Sequence, residues 1–118
     1  MTKRIFFNAV MLTAAYLALL AMVSSHAWAD DAGKSVYDDK CASCHGASGG
    51  GDGPAAAAFK PAIQPFSKGL KGKSDDWIGK VTKDGGPAVG LAATMPPAPD
   101  LSDDQVKALV AYQKQLAK

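Results

Sequence analysis

Hydrophobic and polar positions divide the chain into an apolar leader and a longer part of mixed character. The leader is the run Ile5–Val23, which is interrupted only by Asn8 and Thr13. A basic pair, Lys3-Arg4, precedes this run, and the small-residue pattern Ala27-Trp28-Ala29 follows it. A basic start, an apolar middle and an A-x-A end are typical of a secretory signal peptide that is cut after the last alanine.

The leader therefore predicts a signal peptide over residues 1–29 and a single domain over residues 30–118. Export places the domain outside the cytoplasm, in a bacterial periplasm or an equivalent compartment, with no stable membrane insertion after cleavage. The alternative is a membrane anchor that is kept, since the run of 19 positions is close to the roughly 20 residues that cross a bilayer.

In the exported part, hydrophobic periodicity predicts two helices ahead of the C-terminal segment. The first covers about residues 31–43, with its apolar positions spaced by four, four and three. The second begins at the N-cap candidate Ser74, covers residues to about Lys83 and ends at Gly85-Gly86. The faces that they bury are Gly33, Tyr37, Cys41 and Cys44 in the first helix, and Trp77, Ile78 and Val81 in the second.

A third helix is indicated by its start. Ser102-Asp103-Asp104-Gln105 is a capping box, with Ser at the N-cap and Gln at N3. Leu101 and Val106 occupy the hydrophobic staple positions that flank such a box. An apolar face suited to packing on another helix follows, formed by Val106, Leu109, Tyr112 and Leu116.

The segments between the helices are loops. Gly46–Pro54 has five glycines in nine residues, which predicts a loop that wraps closely around something. Ala55–Ala58 is expected to form one short helical turn, and Pro87–Pro99, with four prolines, an extended strap. Because no β-alternation is present, we expect an all-α domain of three to four short helices with long loops.

Composition adds an argument for a cofactor. Residues 30–118 contain 11 Lys, 11 Asp and neither Arg nor Glu, so they carry no net charge and favour no nucleic-acid partner. Leu, Ile, Val and Phe account for only 14 of these 89 residues. Small domains with so little apolar bulk need a disulfide, a metal or a bound group to be stable. Neutrality and the helix signals argue against disorder, so the deficit predicts a cofactor.

The chemistry is carried by Cys41-Ala42-Ser43-Cys44-His45, a C-x-x-C-H motif, which is the attachment signature of c-type haem. Two thiols three residues apart reach the two vinyl groups on one edge of a porphyrin and form thioethers. The next residue, His45, is then held under the iron as an axial ligand. We therefore expect haem c, covalently attached, with Cys41, Cys44 and His45 in its site.

Three other uses of the same cysteines fit the sequence less well. A disulfide between Cys41 and Cys44 closes a very small loop and stabilises little. A thioredoxin-like redox pair calls for a βαβ context, which the chain does not have. Zinc needs four ligands, and residues 30–118 hold no other Cys and no His besides His45.

The sixth iron ligand follows by elimination. Met95 is the only methionine of residues 30–118, and it lies 50 residues after His45 in the proline-stiffened segment Thr94–Pro97. The alternative is a methionine that fills a gap in the core. A thioether opposite an imidazole raises the reduction potential and fills the iron, so a His45/Met95 pair favours transfer of single electrons over substrate binding.

These residues resemble a small class I c-type cytochrome over nearly the whole exported part. The resemblance implies that the first and last helices cross, with Gly33 and Tyr37 against Leu109 and Tyr112. It also implies that the carbonyl of Pro54 accepts a hydrogen bond from Nδ1–H of His45. The motifs that carry the resemblance are Gly33-x-x-x-Tyr37, C-x-x-C-H, Gly53-Pro54, Met95-Pro96-Pro97 and the Ser102 helix with Leu109-Val110-Ala111-Tyr112. Trp77 has two interpretations, contact with the haem or its propionates and plain core burial.

The sequence thus predicts an exported, monomeric, single-haem electron carrier, not an enzyme, that exchanges electrons with a donor and an acceptor protein. One alternative is a haem subunit or a membrane-anchored module dedicated to one reductase or oxidase complex. The other is an open-iron enzyme or gas sensor, for which the exported part offers no second His, Arg or Glu. Residues 60–83 carry six Lys and two Asp, an uneven charge that has two interpretations: a surface that orients a docking partner, or an ordinary lysine-rich surface.

Overall fold

The computed structural model of the protein describes residues 31–118. The predicted signal peptide lies outside these residues. From residue 31 to 118 the chain forms five α-helical segments, two 3₁₀ turns and no β-strand, which confirms the all-α class. The helices are α1 (31–40), α2 (Ala42–His45), α3 (Phe66–Gly69), α4 (Asp75–Asp84) and α5 (Asp103–Leu116), and the 3₁₀ turns are Ala56–Ala58 and Gly86–Val89.

The first predicted helix is present, but it is interrupted at Cys41 and ends later than expected. The amide of Cys41 donates to the carbonyl of Tyr37 over 2.9 Å, and the amide of His45 donates to the carbonyl of Cys41 over 2.9 Å. α2 therefore follows α1 almost without a gap. It ends at Gly46, whose φ of +82° lies in the left-handed region that favours glycine.

α1 crosses α5 at a point where only glycine fits. A Cβ on Gly33 would lie 2.3 Å from the carbonyl oxygen of Ala108 and 3.0 Å from Cβ of Tyr112. One turn further along α1, the ring of Tyr37 packs edge-to-face on the ring of Tyr112, with centroids 5.4 Å apart. Tyr37 and Leu109 are both fully buried in one core cluster. The predicted crossing of the first and last helices is confirmed.

α4 runs antiparallel to α5 and is tied to it at both ends. Lys114 pairs with Asp75 over 2.5 Å, and Lys83 pairs with Asp103 over 2.8 Å. The hydroxyl of Ser74 accepts from the amide of Trp77, which confirms Ser74 as the N-cap of α4. Gly85, with a φ of +85°, follows the last residue of the helix.

α5 begins with the predicted capping box. The hydroxyl of Ser102 accepts from the amide of Gln105 over 3.2 Å, and the side-chain carbonyl of Gln105 accepts from the amide of Ser102 over 2.9 Å. The buried face is broader than the predicted stripe, because Val110 and Gln113 are buried together with Leu109. A 14-residue helix that packs on α1, α3 and α4 buries more than one stripe.

The expected extended strap is only partly extended. Its first residues form the 3₁₀ turn Gly86–Val89, because Pro87 presets φ near the helical value and Gly90 closes the turn with a φ of +77°. The helix α3 was not predicted, since a four-residue segment offers too few positions for a periodic pattern.

The apolar core is small, as the composition indicated. Among the described residues seven hydrophobic side chains are buried: Tyr37, Phe66, Ile78, Val81, Leu101, Leu109 and Val110. Four of them form one cluster under α1, α3 and α5. No helix between residues 31 and 118 combines the length and the apolar character that crossing a bilayer requires.

Candidate haem site

The three functional groups of the C-x-x-C-H motif lie at the junction of α1 and α2. Cys41 is the N-cap residue of α2, Cys44 lies one residue before its end, and His45 is its last residue. Both thiols are free, and each is half-buried. Burial raises the pKa of the Cys41 thiol to about 11, so this thiol is protonated at neutral pH.

The imidazole of His45 is half-buried and lies beside an aromatic ring. Its centroid is 4.8 Å from that of Phe66, with an angle of 36° between the ring planes. Burial lowers the pKa of His45, because a charged imidazolium is poorly solvated there. The neutral form, which has a lone pair to offer a metal ion, is therefore the stable one at neutral pH.

The Nδ1 atom of His45 is buried and has no hydrogen-bond partner among the described residues. The bond expected from this atom to the carbonyl of Pro54 is therefore not formed in the structure, and a role for Pro54 in the cofactor site stays a prediction. The two residues on either side of Pro54 are hydrogen-bonded to the backbone of the motif. The amide of Gly53 donates to the carbonyl of Cys44 over 3.3 Å, and the amide of Ala55 donates to the carbonyl of Ser43 over 2.9 Å. Pro54 thus runs beside α2 with its side chain exposed.

The glycine-rich loop wraps around the end of α2. The amide of Gly51 donates to the carbonyl of His45 over 2.8 Å. A Cβ on Gly53 would lie 2.3 Å from the carbonyl oxygen of Ser43, so the loop backbone approaches α2 too closely for any side chain there. The tight wrapping predicted for this loop is confirmed, and part of what it encloses is the helix that carries the motif.

Met95 lies on a segment that is fastened to the end of α4. The amide of Gly86 donates to the carbonyl of Met95 over 3.0 Å, and the amide of Ala98 donates to the carbonyl of Thr82 over 3.2 Å. A Cβ on Gly86 would lie 2.3 Å from the carbonyl oxygen of Ala92 and 3.1 Å from Cβ of Met95. The Met95 side chain is half-buried, so it is neither a core residue nor a freely exposed one.

Trp77 is half-buried rather than part of the core cluster. The ammonium of Lys73 lies 4.5 Å from the centroid of its ring, within the range of a cation–π contact. The burial of Trp77 among the described residues is therefore partial. Contact with the haem stays a prediction.

Two residues near His45 were not singled out from the sequence for this site. Phe66 lies 21 positions away in a short helix, and no local motif connects it with the cysteines. Tyr37 was predicted only as a packing residue, yet its hydroxyl donates to the carbonyl of Gly46 over 2.6 Å. The one signal for this bond in the sequence is that residue 37 is a tyrosine. Phenylalanine would be enough if the position required packing alone, so the hydroxyl points to a hydrogen bond.

The residues present fit a covalently held haem. Two free thiols lie three positions apart, and the imidazole that follows is neutral and half-buried. Within the part of the chain that the structure describes, no three His, Cys or Asp side chains come together to hold a metal ion. Residues 31–118 hold two Cys and one His, too few for the four ligands of a structural zinc site.

An all-α domain with this motif at a helix end defines the class of protein, one that carries covalently attached haem c. Comparison with known families agrees: the family model described as Cytochrome c matches residues 31–117. The match spans most of the chain, so the chain belongs to the cytochrome c family, whose members are generally electron carriers. A search of curated proteins found no match.

Proposed function

We propose that this protein is an exported carrier of single electrons, with one haem whose iron is held by His45 and Met95 and whose vinyl groups are bound to Cys41 and Cys44. The observation that carries the proposal is the half-buried neutral imidazole of His45 directly after the second thiol of the motif. Haem iron supplies a one-electron couple when it is bound. The chain supplies the two axial donors and the covalent attachment.

Met95 is proposed as the second axial donor because the fold holds it in place by its backbone. Its carbonyl accepts from Gly86, and its Cβ lies against the bare Cα of Gly86. No other methionine and no second histidine exists in residues 31–118. Two protein donors leave the iron no open position, which supports electron transfer and argues against an enzyme or a gas sensor.

Export to a periplasm or an equivalent compartment is supported by the leader pattern over residues 1–29 and by the kind of attachment motif that follows. We propose that the mature protein begins at Asp30 and is monomeric. An anchored module dedicated to one reductase or oxidase differs from it in keeping the leader. The N-terminal residue of the purified protein distinguishes the two.

The electron donor or acceptor is proposed to be an acidic redox protein that docks on the segment 60–73. Of the eleven lysines within residues 31–118, six form ion pairs with Asp, all of them outside this segment. The segment also contains Phe66, whose ring lies next to the imidazole of His45. Its lysines, for which the described residues provide no carboxylate, are Lys60, Lys68, Lys71 and Lys73. Uncompensated positive charge this close to the site attracts an acidic partner.

The experiment that tests the proposal is the visible spectrum of the full chain, expressed and exported in a cell that attaches c-type haem. We expect a sharp α-band in the reduced protein and a weak sulfur-to-iron band in the oxidised one. Met95→Leu, which keeps the side-chain volume, should retain covalent haem and lose the sulfur band. Haem without that band in the native protein would contradict Met95 ligation, and a protein that takes up no haem would contradict the proposal as a whole.

A further inference from the structure

Phe66 fills a narrow space next to the imidazole of His45. Its side chain is 6% exposed, and its amide donates to the carbonyl of Gly49 over 2.8 Å. A Cβ on Gly49 would lie 2.6 Å from Cδ2 of the Phe66 ring, so position 49 of the loop has no room for a side chain. The phenyl ring also lies near two more rings, with centroid distances of 4.8 Å to His45 and 6.0 Å to Tyr37. The phenyl ring is thus held on several sides.

The backbone on either side of the His45–Gly46 peptide is also held. The carbonyl of His45 accepts from the amide of Gly51 over 2.8 Å, and the carbonyl of Gly46 accepts from the hydroxyl of Tyr37 over 2.6 Å. Tyr37 is fully buried, and burial raises its pKa, so the hydroxyl keeps its proton and remains a donor. The segment that carries the imidazole is therefore fixed at two successive carbonyls.

The imidazole itself lacks the usual orienting bond. A histidine that ligates a metal normally donates its second ring N–H to a carbonyl, a carboxylate or a water, which fixes the plane of the ring. Here Nδ1 has no partner among the described residues. The ring of Phe66 lies beside the imidazole with centroids 4.8 Å apart, and this contact limits rotation of the imidazole about its Cβ–Cγ bond.

We propose that Phe66 and Tyr37 are positioning residues that set the orientation of the His45 imidazole toward the haem iron. Phe66 acts on the ring by contact, and Tyr37 acts on the backbone through the carbonyl of Gly46. The inference rests on the proposed function, since it requires His45 to be an axial ligand. The plane of an axial imidazole sets its overlap with the iron d orbitals, and the apolar surroundings set solvent access, so both residues tune the reduction potential.

The test compares three variants of the exported holoprotein. Phe66→Leu removes the flat surface and keeps an apolar side chain; Tyr37→Phe removes only the hydroxyl. Tyr112→Phe is the matched control, because it removes a hydroxyl from the α5 side of the same aromatic cluster, where the ring packs on Tyr37 at 5.4 Å. The readouts are the reduction potential and the paramagnetic proton NMR shifts of the haem methyl groups in the ferric protein, which report the orientation of the axial imidazole.

We expect Phe66→Leu to shift the reduction equilibrium toward the oxidised protein by about tenfold, which is about 59 mV for one electron. It should also change the order or the spread of the haem methyl shifts. Tyr37→Phe should move both readouts in the same direction by a smaller factor, about threefold in the equilibrium, and Tyr112→Phe should leave both unchanged.

Native-like potentials and methyl shifts in Tyr37→Phe and Phe66→Leu would overturn the positioning role while the proposed function stands. If Phe66→Leu does not fold, Tyr37→Phe decides alone, because it keeps every ring contact. Equal changes in Tyr112→Phe would overturn the inference as well, since they would show a general effect of the cluster. Failure of the proposed function is separately visible, as a native protein without the sulfur-to-iron band.

Discussion

Gly33 of α1 and Ala108 of α5 lie in direct backbone contact. A Cβ placed on Gly33 would come 2.3 Å from the carbonyl oxygen and 2.8 Å from the carbonyl carbon of Ala108. Neither atom belongs to a flexible side chain that could move away. The helix that leads into the haem-attachment motif is therefore packed against α5 with no room for a side chain at Gly33, and the ring contact of Tyr37 and Tyr112 follows one turn later.

We predict that Gly33→Ala lowers the free energy of unfolding by about 3 kcal/mol, because two helices must separate to admit the methyl group. Gly69→Ala is the matched control. It is a helical glycine with no heavy atom within 4 Å of its added Cβ, so the same change there should be neutral or stabilise by about 0.5 kcal/mol. Urea unfolding of both holoproteins measures the difference. Equal stabilities would contradict the described crossing.

Acidification should begin to destabilise the domain at a higher pH than the one at which carboxylates titrate. Burial lowers the pKa of His45 below its ordinary value of 6.5, so the unfolded chain binds a proton at a higher pH than the folded one does. The stability that this provides is complete above pH 6.5 and is lost as the pH falls from there toward the folded pKa. The proposed ligation of His45 to iron would act in the same direction, since a proton and the metal compete for the imidazole.

His45 is the only histidine of residues 31–118, so no other side chain of ordinary pKa titrates between about pH 6.5 and 5. We expect the urea midpoint of the mature holoprotein to be flat from about pH 8 to 7, apart from its N-terminal amine. Below pH 6.5 the midpoint should fall, because the free energy of unfolding decreases by at most about 1.4 kcal/mol per pH unit for one proton. A midpoint that stays constant down to pH 5 would rule out the buried neutral imidazole.

Docking through the segment 60–73 predicts unequal effects of equal charge changes. The triple change of Lys68, Lys71 and Lys73 to Gln should slow electron transfer with an acidic redox protein by about tenfold at low salt and flatten its salt dependence. The control triple changes Lys34, Lys80 and Lys107, which already pair with Asp38, Asp84 and Asp104. Stopped-flow rates that fall equally in both triples would reduce the effect to net charge and contradict the docking surface.

The capping box of α5 offers a test that is independent of the haem. Ser102→Ala removes the acceptor of the Gln105 amide at 3.2 Å and should lower the free energy of unfolding by about 1 kcal/mol. Ser67→Ala, at an exposed position inside α3, removes a hydroxyl that caps no helix and should change stability by less than about 0.5 kcal/mol. Thermal unfolding of the two variants at equal pH compares them, and equal losses would mean that the box contributes nothing.

The elements that the sequence predicted well are those with local signals. The capping box at Ser102, the N-cap at Ser74 and the C-x-x-C-H motif each act within a few residues, so they are visible without the fold. The all-α class and the crossing at Gly33 are likewise confirmed. In contrast, the ion pair of Lys114 and Asp75 joins residues 39 positions apart, and no local sequence pattern predicts it.

The parts that the sequence did not predict depend on tertiary contacts. Phe66 comes next to His45 because the loop between them folds back on α2, which periodicity does not detect. Gln113 is buried although glutamine is normally exposed, since a helix with neighbours on several sides has less free surface than one face suggests. The bond from His45 to Pro54 depended on the path of a five-glycine loop, which side-chain chemistry hardly constrains.

Seven buried hydrophobic side chains form a small core for residues 31–118, so the way in which the haem is held matters for the stability of the domain. A ligand held by equilibrium binding stabilises its host only as long as its concentration exceeds the dissociation constant. Thioether-linked haem cannot be diluted away, so whatever apolar surface it covers stays covered for the lifetime of the molecule. We therefore expect folding to be coupled to haem attachment, with chains that miss the attachment step left poorly folded and open to proteolysis.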